Sequence, residues 1–311
     1  MARSIGVDVG GTNLRVGVFD CNQLLQETRF QADFSAICKQ NPPDVAWQLI
    51  LEAMAAGIQN VLKLYPDVQT IGIGFPGFID PTTQTIAQSP NLPGLINVNL
   101  AHDLASKLGK TVVVENDANA AAYGEYCLAD KPAGGLVYLG LGTGVGGGLI
   151  LPNVKQQAKP YVGQHGCAME AGHIIVEHNG RSCGCGNYGC MEQYASASGV
   201  SISYFNATQQ QHSAAEIAKL AQAGDAFAIL AYETAAQALA QALASILKVA
   251  DVEHVVIGGG MVAAWGLMQN AFTQRLNQDL IPVLRGKITI TSSIAQDVAG
   301  MLGAAMLAVD S

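Results

Sequence analysis

At 311 residues the chain is long enough for two domains, since a single hydrophobic core stops growing at roughly 250 to 300 residues. Half of its residues are apolar, its formal net charge is −8, and no Lys/Arg cluster interrupts that acidic average, so a sizeable core is expected and a nucleic-acid surface is not. Seven cysteines are too few for a disulfide scaffold, and the opening "MARSIGVDVGG" runs straight into a strand-like segment with no signal-peptide or lipidation pattern. The expected compartment is the cytoplasm. The longest apolar stretches carry Gln, Glu or Lys at helical spacing, and none reads as membrane-spanning.

Strand and helix signals alternate along the chain, which predicts an α/β fold. "SIGVDV" and "LRVGVFD" are strands flanking Gly-Gly, "DVAWQLILEAMAAGIQNVLKLY" has helical periodicity, and "TIGIGF" is a strand. "LAHDLASKLG" then reads as a helix, "TVVVEN" as a strand, "DANAAAYGEYCLA" as a helix, and "GLVYLGLGTGVGGGLIL" as two strands about a glycine turn. Residues 155–211 are expected to be irregular. Beyond them lie a long Ala-rich helix over 225–250, a strand "HVVIGGG", a helix, a strand "KITITSS" and a last Ala-rich helix. The 225–250 helix is expected to pack between domains and to offer a subunit contact.

Three strands end in glycine clusters: "VDVGGT", "YLGLGTG" and "VVIGGG". Taken alone, "DVGGTN" is a β-hairpin with a Gly-Gly turn, a reading compatible with a second one. A glycine turn leaves backbone N–H groups open to phosphate oxygens, while Thr12 adds a hydroxyl and Asp8 a carboxylate suited to Mg²⁺. "GTGVGG" matches a dinucleotide fingerprint in letters, but a strand-like "GLILP" follows where a helix is required, and "LASKLGKT" has Leu104 where a P-loop needs its first glycine.

"VVVENDANAAAYGEY" places Asn116 and Asp117 after a strand and at the start of a helix. One reading is a helix cap. The other is a general base that accepts the proton of a substrate hydroxyl attacking a γ-phosphate in line. "RSCGCGNYGCMEQY" crowds Cys183, Cys185 and Cys190 into eight residues, which suits a redox switch, part of a disulfide framework, or one corner of a metal site. The C-x-C-x₄-C spacing offers three of the four ligands of a structural zinc, with glycines at 184, 186 and 189 to let the chain wrap. His178 is a candidate substitute ligand. His102, His212 and His254, and the single Cys21, Cys38, Cys127 and Cys167, read as structural or incidental.

The three glycine turns resemble the phosphate 1, phosphate 2 and adenosine segments of the sugar kinase, Hsp70 and actin superfamily. That resemblance implies two ribonuclease-H-like α/β domains with a central ligand cleft. With "GFPGFID", "SPNLPG", "ENDANAAAYGE", "EAGH" and "CGCGNYGCME" added in order, the chain resembles the ROK family (repressors, open reading frames, kinases) and within it the bacterial glucokinases. The resemblance implies ATP-dependent phosphorylation of a hexose at its 6-hydroxyl, with glucose first and N-acetylglucosamine, N-acetylmannosamine, mannose or fructose behind it. It makes Asp117 the catalytic base, and Gly77, Asn91, Asn116, Asp117, Glu170, His173 and Glu192 the sugar ligands. Asp8, Gly10, Gly11, Thr12 and Asn13, then Gly142, Thr143 and Gly144, then Gly258, Gly259 and Gly260, become the ATP and Mg²⁺ segments. His173 joins Cys183, Cys185 and Cys190 as the fourth zinc ligand, one ring nitrogen on the metal and the other toward a sugar hydroxyl.

The implied domains are a small one over 1–116, completed by the helix at about 297–311, and a larger one over 117–296 with the zinc loop. A homodimer or homotetramer is implied, with no nucleic-acid or membrane partner. Two departures touch the sugar pocket: Met169 stands where the family usually has Gly, and the preceding loop carries His165 and Cys167. A sugar-responsive repressor is the rival reading, but its helix-turn-helix would precede the first glycine motif, which here begins at residue 7. A chaperone or filament subunit of the same fold would need neither "EAGH" nor the cysteines.

Overall fold

The computed structural model describes residues 3–10, 12–89, 92–153, 157–295 and 298–310. The chain divides into two compact units, one of 1–135, 148–168 and 297–311, the other of 136–147 and 169–296. In this division the helix that starts at Asp117 belongs with the first unit, whereas the sequence reading places it in the larger domain.

The first unit opens with β1 (Ser4–Val9), β2 (Asn13–Asp20) and β3 (Gln23–Gln31), followed by α1 (Phe34–Gln40), α2 (Pro43–Leu62) and β4 (Thr70–Phe75). A small sheet of β5 (Phe78–Ile79), β6 (Ile86–Gln88) and β7 (Ile96–Val98) comes next, then α3 (Leu100–Leu108), β8 (Thr111–Asn116) and α4 (Asp117–Leu128). The main sheet has the order β3-β2-β1-β4-β8, in which β2 and β3 are antiparallel and β1, β4 and β8 run parallel. In β1 and β4 the large apolar side chains, Ile5, Val7 and Val9 and then Ile71, Ile73 and Phe75, share one face, while Gly6, Gly72 and Gly74 lie on the other, and both faces are largely buried.

Helix α2 covers one face with Trp47, Ile50, Leu51, Met54 and Ile58. By length and composition it is the one described helix that would cross a membrane, but half of that window is buried in the unit. β3 was not anticipated: "QLLQETRFQ" is an edge strand with only intermediate and exposed positions, so no apolar face announced it.

The chain enters the second unit with β9 (Leu136–Leu141) and leaves it along β10 (Val145–Pro152), whose last residues pair with β11 (Ala158–Pro160) back in the first unit. The second unit continues with α5 (Glu192–Ala195), α6 (Ala197–Thr208), α7 (Ala214–Gln222), α8 (Ala226–Ala250), β12 (His254–Gly258), α9 (Trp265–Asp279) and β13 (Thr289–Ser292). β12 lies parallel to both β9 and β13. Helix α8 packs on α5, α6, α7 and α9 of its own unit. Over the described residues 157–191 the expected irregular chain holds apart from β11 and a 3₁₀ turn at Ala171–His173, and it fails at α5 and α6. "ASGVSISYFNAT" has poor helix formers, and its helix is started by Ser196 capping Gly199 N at 3.0 Å and kept by packing on α8.

Helix α10 (Val298–Val309) returns to the first unit and lies on α4, β1 and β4. Its backbone comes so close that a Cβ at Gly6 or Gly72 would overlap the carbonyls of Met301 and Ala304.

Candidate functional site

In the first unit the candidate residues gather at the carboxyl ends of the parallel strands, where ligand sites of open α/β sheets form. Asp8 stands opposite Gly74, and Gly74 opposite Glu115, so the ends of β1, β4 and β8 are level. Beyond β1 the chain reverses with Gly10 N donating to Asn13 O at 2.9 Å, and Thr12 and Asn13 are exposed. Asp8 is 30% exposed, and its Oδ2 lies 3.8 Å from Arg15 Nη1, a guanidinium also shared with Glu27 at 3.0 Å. Gly11 and Asn91 lie outside the described residues.

The β8–α4 corner carries the proposed base. Asn116 is the helix cap: its Oδ1 accepts from Ala118 N at 3.0 Å and Asn119 N at 3.1 Å, and its Nδ2 donates to Gly77 O at 3.1 Å. The capping task thus falls on Asn116, and Asp117 occupies the first helical position, half-buried, with Oδ1 accepting from Ala118 N at 2.8 Å. A carboxylate there is favoured by the helix N-terminus. Beneath the corner, Glu115 Oε1 accepts from Asn116 N at 2.8 Å and from Asn119 Nδ2 at 3.2 Å. Burial pushes the Glu115 carboxyl up from its ordinary pKa, the two hydrogen bonds opposing it. Asn119 is 3% exposed, and its Oδ1 has no hydrogen-bond partner among the described residues. Sequence reading passed over Glu115 and Asn119, whose only signal was a pair of polar letters within an apolar strand and helix.

In the second unit the glycine turns end β9 and β12, which pair with Gly140 opposite Gly258. Gly142 N donates to Gly144 O at 2.9 Å. Gly259 has φ +84°, and a Cβ there would overlap the Leu141 carbonyl, so the third glycine segment lies against the second strand's end. Thr143, Gly259 and Gly260 are exposed.

The segment from 169 to 197 holds the remaining candidates. Glu170 and His173 bracket a short 3₁₀ turn, Ala171–His173, with Glu170 Oε2 at 3.9 Å from His173 Nε2. Desolvation raises the Glu170 carboxyl, the nearby Glu192 adds to the rise, and His173 opposes it. Met169, just before, has a non-glycine residue at φ +62°.

His173, Cys183, Cys185 and Cys190 bring their ligand atoms within 4.8 Å of one another. Cys183 Sγ lies 3.6 Å from His173 Nδ1, and Cys185 Sγ lies 3.6 Å from Cys190 Sγ. Tetrahedral zinc with bonds of about 2.3 Å to sulfur and about 2.0 Å to nitrogen has edges of roughly 3.5 to 3.8 Å, so the four groups fit that ion. Nδ1 is the nitrogen turned to the thiols, and Nε2 faces Glu170. His178 is exposed and outside the group. Gln193 Nε2 donates to Cys183 Sγ at 3.6 Å, an outer contact that the sequence did not suggest. Arg181, also unforeseen, donates to Gln193 O at 2.6 Å, Gly199 O at 3.0 Å and Ser203 Oγ at 2.9 Å, with its guanidinium 4.4 Å over the Tyr194 ring.

A family model described as the ROK family matches residues 4–311. The chain is 31% identical to the glucokinase of Thermotoga maritima, across 97% of its own length and 96% of the relative's. It is 32% identical to the N-acetyl-D-glucosamine kinase of Salmonella typhimurium, across 97% and 98%. Among solved structures it resembles a ROK family glucokinase from Streptomyces griseus in complex with glucose and AMPPNP, with a TM-score of 0.80 and 30% identity over 99% of this chain and 100% of that one.

Proposed function

The chain belongs to the ROK family, as a sugar kinase of the sugar kinase, Hsp70 and actin superfamily, and on that premise we propose that it transfers the γ-phosphoryl group of ATP to the 6-hydroxyl of glucose. The observation that carries this reading is the β8–α4 corner, where Asn116 takes the capping hydrogen bonds and Asp117 stands beside it at the helix N-terminus.

In this reading the sugar 6-hydroxyl gives its proton to Asp117 as its oxygen attacks the γ-phosphorus and the bond to the β-phosphate oxygen breaks. ADP leaves with that electron pair. Asp8 would hold Mg²⁺ or its water shell, and backbone amides of the two glycine turns, after β1 and at Gly142–Gly144, would meet the phosphates. Glu170, Glu192 and His173 Nε2 supply partners for the ring of sugar hydroxyls. A hexose with a misplaced hydroxyl leaves one of these groups unpaired, which is how such a pocket discriminates.

Zinc is the ion that the His173, Cys183, Cys185 and Cys190 donors suit. With four protein ligands it keeps no open position, and when bound it supplies a fixed tautomer and orientation for His173. The chain itself then holds Glu170 three residues before His173 and Glu192 two residues after Cys190.

N-acetylglucosamine is the second reading, favoured by the 32% identity to the Salmonella kinase. A steady-state assay over glucose, N-acetylglucosamine, N-acetylmannosamine, mannose and fructose with Mg-ATP decides between them. Glucose is expected to give the highest kcat/KM. A higher value for either N-acetylated sugar would sink the glucose assignment, and the same panel with polyphosphate tests the donor.

A further inference from the structure

The turn between β9 and β10 closes on one hydrogen bond of its own, Gly142 N to Gly144 O, and is also held from outside. Its following amide, Val145 N, donates to Glu192 Oε2 at 2.9 Å, across 47 residues of sequence. The same carboxylate closes over the turn: a Cβ on Gly144 would overlap Glu192 Oε2, so an alanine there displaces the carboxylate. Ala197 N donates to Gly142 O at 2.9 Å, one turn of chain beyond Glu192. On the other side a Cβ at Gly172 would overlap Val145 O, and one at Gly147 would press on the Met169 carbonyl. Residues 142–147 are therefore gripped by 169–172 and by 192–197, the two ends of the segment that carries His173, Cys183, Cys185 and Cys190.

A glycine-rich turn has many accessible backbone conformations, and phosphate is bound well only in the one that aims its amides together. A charge-assisted hydrogen bond donated by the amide next to the turn to a carboxylate removes that freedom before nucleotide arrives. We propose that Glu192 is a positioning residue for the nucleotide: it fixes the Gly142–Val145 backbone, and through it the cysteine segment sets the shape in which this turn meets phosphate. The inference rests on the reading of Gly142–Gly144 as a phosphate turn. It leaves Oε1 of the same carboxylate for the sugar-ligand role proposed above, with Oε2 on the Val145 amide.

The test is titration calorimetry with Mg-ADP in the absence of sugar, on the full chain and on Glu192→Ala, Glu192→Gln, Gly144→Ala and the Glu192→Ala/Gly144→Ala pair. Glu192→Ala is expected to weaken ADP about tenfold, the loss of one hydrogen bond to a charged group. Glu192→Gln keeps an amide oxygen for Val145 N and is expected to return most of the ADP affinity, while glucose affinity stays reduced. Gly144→Ala should weaken ADP to a similar degree, and should add little in the Glu192→Ala background because both break one contact.

Equal ADP affinity in wild type and Glu192→Ala overturns the inference and leaves the kinase reading standing. Failure of wild type to bind ADP at all overturns both. If Glu192→Ala and Glu192→Gln lose ADP, sugar and bound metal together, the role is structural and the inference is wrong.

Discussion

The β8–α4 corner and the 169–197 segment both carry proposed sugar-binding carboxylates, but they are built by different means. The corner is made of a strand paired along its length and a helix with its own cap, so the backbone is held by repeating hydrogen bonds and Asp117 is carried on a rigid frame. The segment between Met169 and Met191 has one 3₁₀ turn and two isolated bridges, Ile175 with Cys190 and Ser182 with Tyr188. Its backbone hydrogen bonds, such as Val176 N to Gly189 O and Gly189 N to Arg181 O, form no repeating ladder, and side chains add to them: the four-ligand group, the Arg181 guanidinium on two carbonyls and a hydroxyl, and Glu192 on Val145 N. A frame of backbone ladders tolerates the loss of a side chain. One of side-chain cross-links fails as a unit.

The largest effect tests the corner. Asp117→Asn keeps the shape of the side chain but cannot take the hydroxyl proton, and is expected to lower kcat by about 10²- to 10⁴-fold. Calorimetry should show glucose still bound, and the melting temperature should change little, since the exchange costs the helix N-terminus only about 0.3 to 1 kcal/mol. Retention of most of the wild-type rate would reduce Asp117 to part of the helix start.

The same kind of change in the other region should behave differently. Cys185→Ala is expected to remove the metal, seen as about one zinc per chain lost by elemental analysis, and to weaken glucose by roughly 10- to 100-fold although Cys185 touches no sugar. Normal sugar binding by that variant, or a metal-free wild type with full activity, would erase the contrast.

A smaller effect probes the wrap of the cysteine loop without touching a ligand. Gly189 has φ +78°, and a Cβ there would overlap the Glu177 carbonyl, whose own amide and that of Val176 donate to Gly189 O at 3.2 and 2.9 Å. Gly189→Ala is expected to cost roughly 1 to 3 kcal/mol and to lower metal affinity alongside, read by denaturant melts with and without chelator. An unchanged midpoint in both would show that the loop has other supports.

The smallest is a pH effect beneath the corner. Glu115 has a raised carboxyl pKa, so below the ordinary carboxylate range it is neutral in both states and contributes no penalty. As pH rises, the unfolded chain ionises first and wild-type stability falls until the folded carboxyl also titrates. Glu115→Gln, which still accepts from Asn116 N, should therefore gain on wild type as pH rises above the ordinary carboxylate range. A constant difference as pH rises would mean that Glu115 is charged in the folded protein.

The glycine turns and the cysteine spacing were legible because each is a local rule. A Gly-Gly between two apolar runs makes a hairpin whatever surrounds it, and C-x-C-x₄-C brings three thiols together within one loop. The main strands and the 225–250 helix were legible for the same reason, their periodicity being set within one element. β3 and α6 were not, since an edge strand has no apolar face to show and a helix of Ser, Gly and β-branched residues forms only against α8. His173 entered through the family likeness, not through spacing, and only the structure shows which of its nitrogens faces the thiols. The partners of Glu115 and Glu192 were decided there as well: Asn119 is four residues on, across the strand-to-helix corner, but Val145 is 47 residues from Glu192. By itself the sequence determines what periodicity, caps and turns can dictate over a few residues. Which distant amide a carboxylate meets is decided by packing, because nothing in a short window of chain encodes where another element will lie.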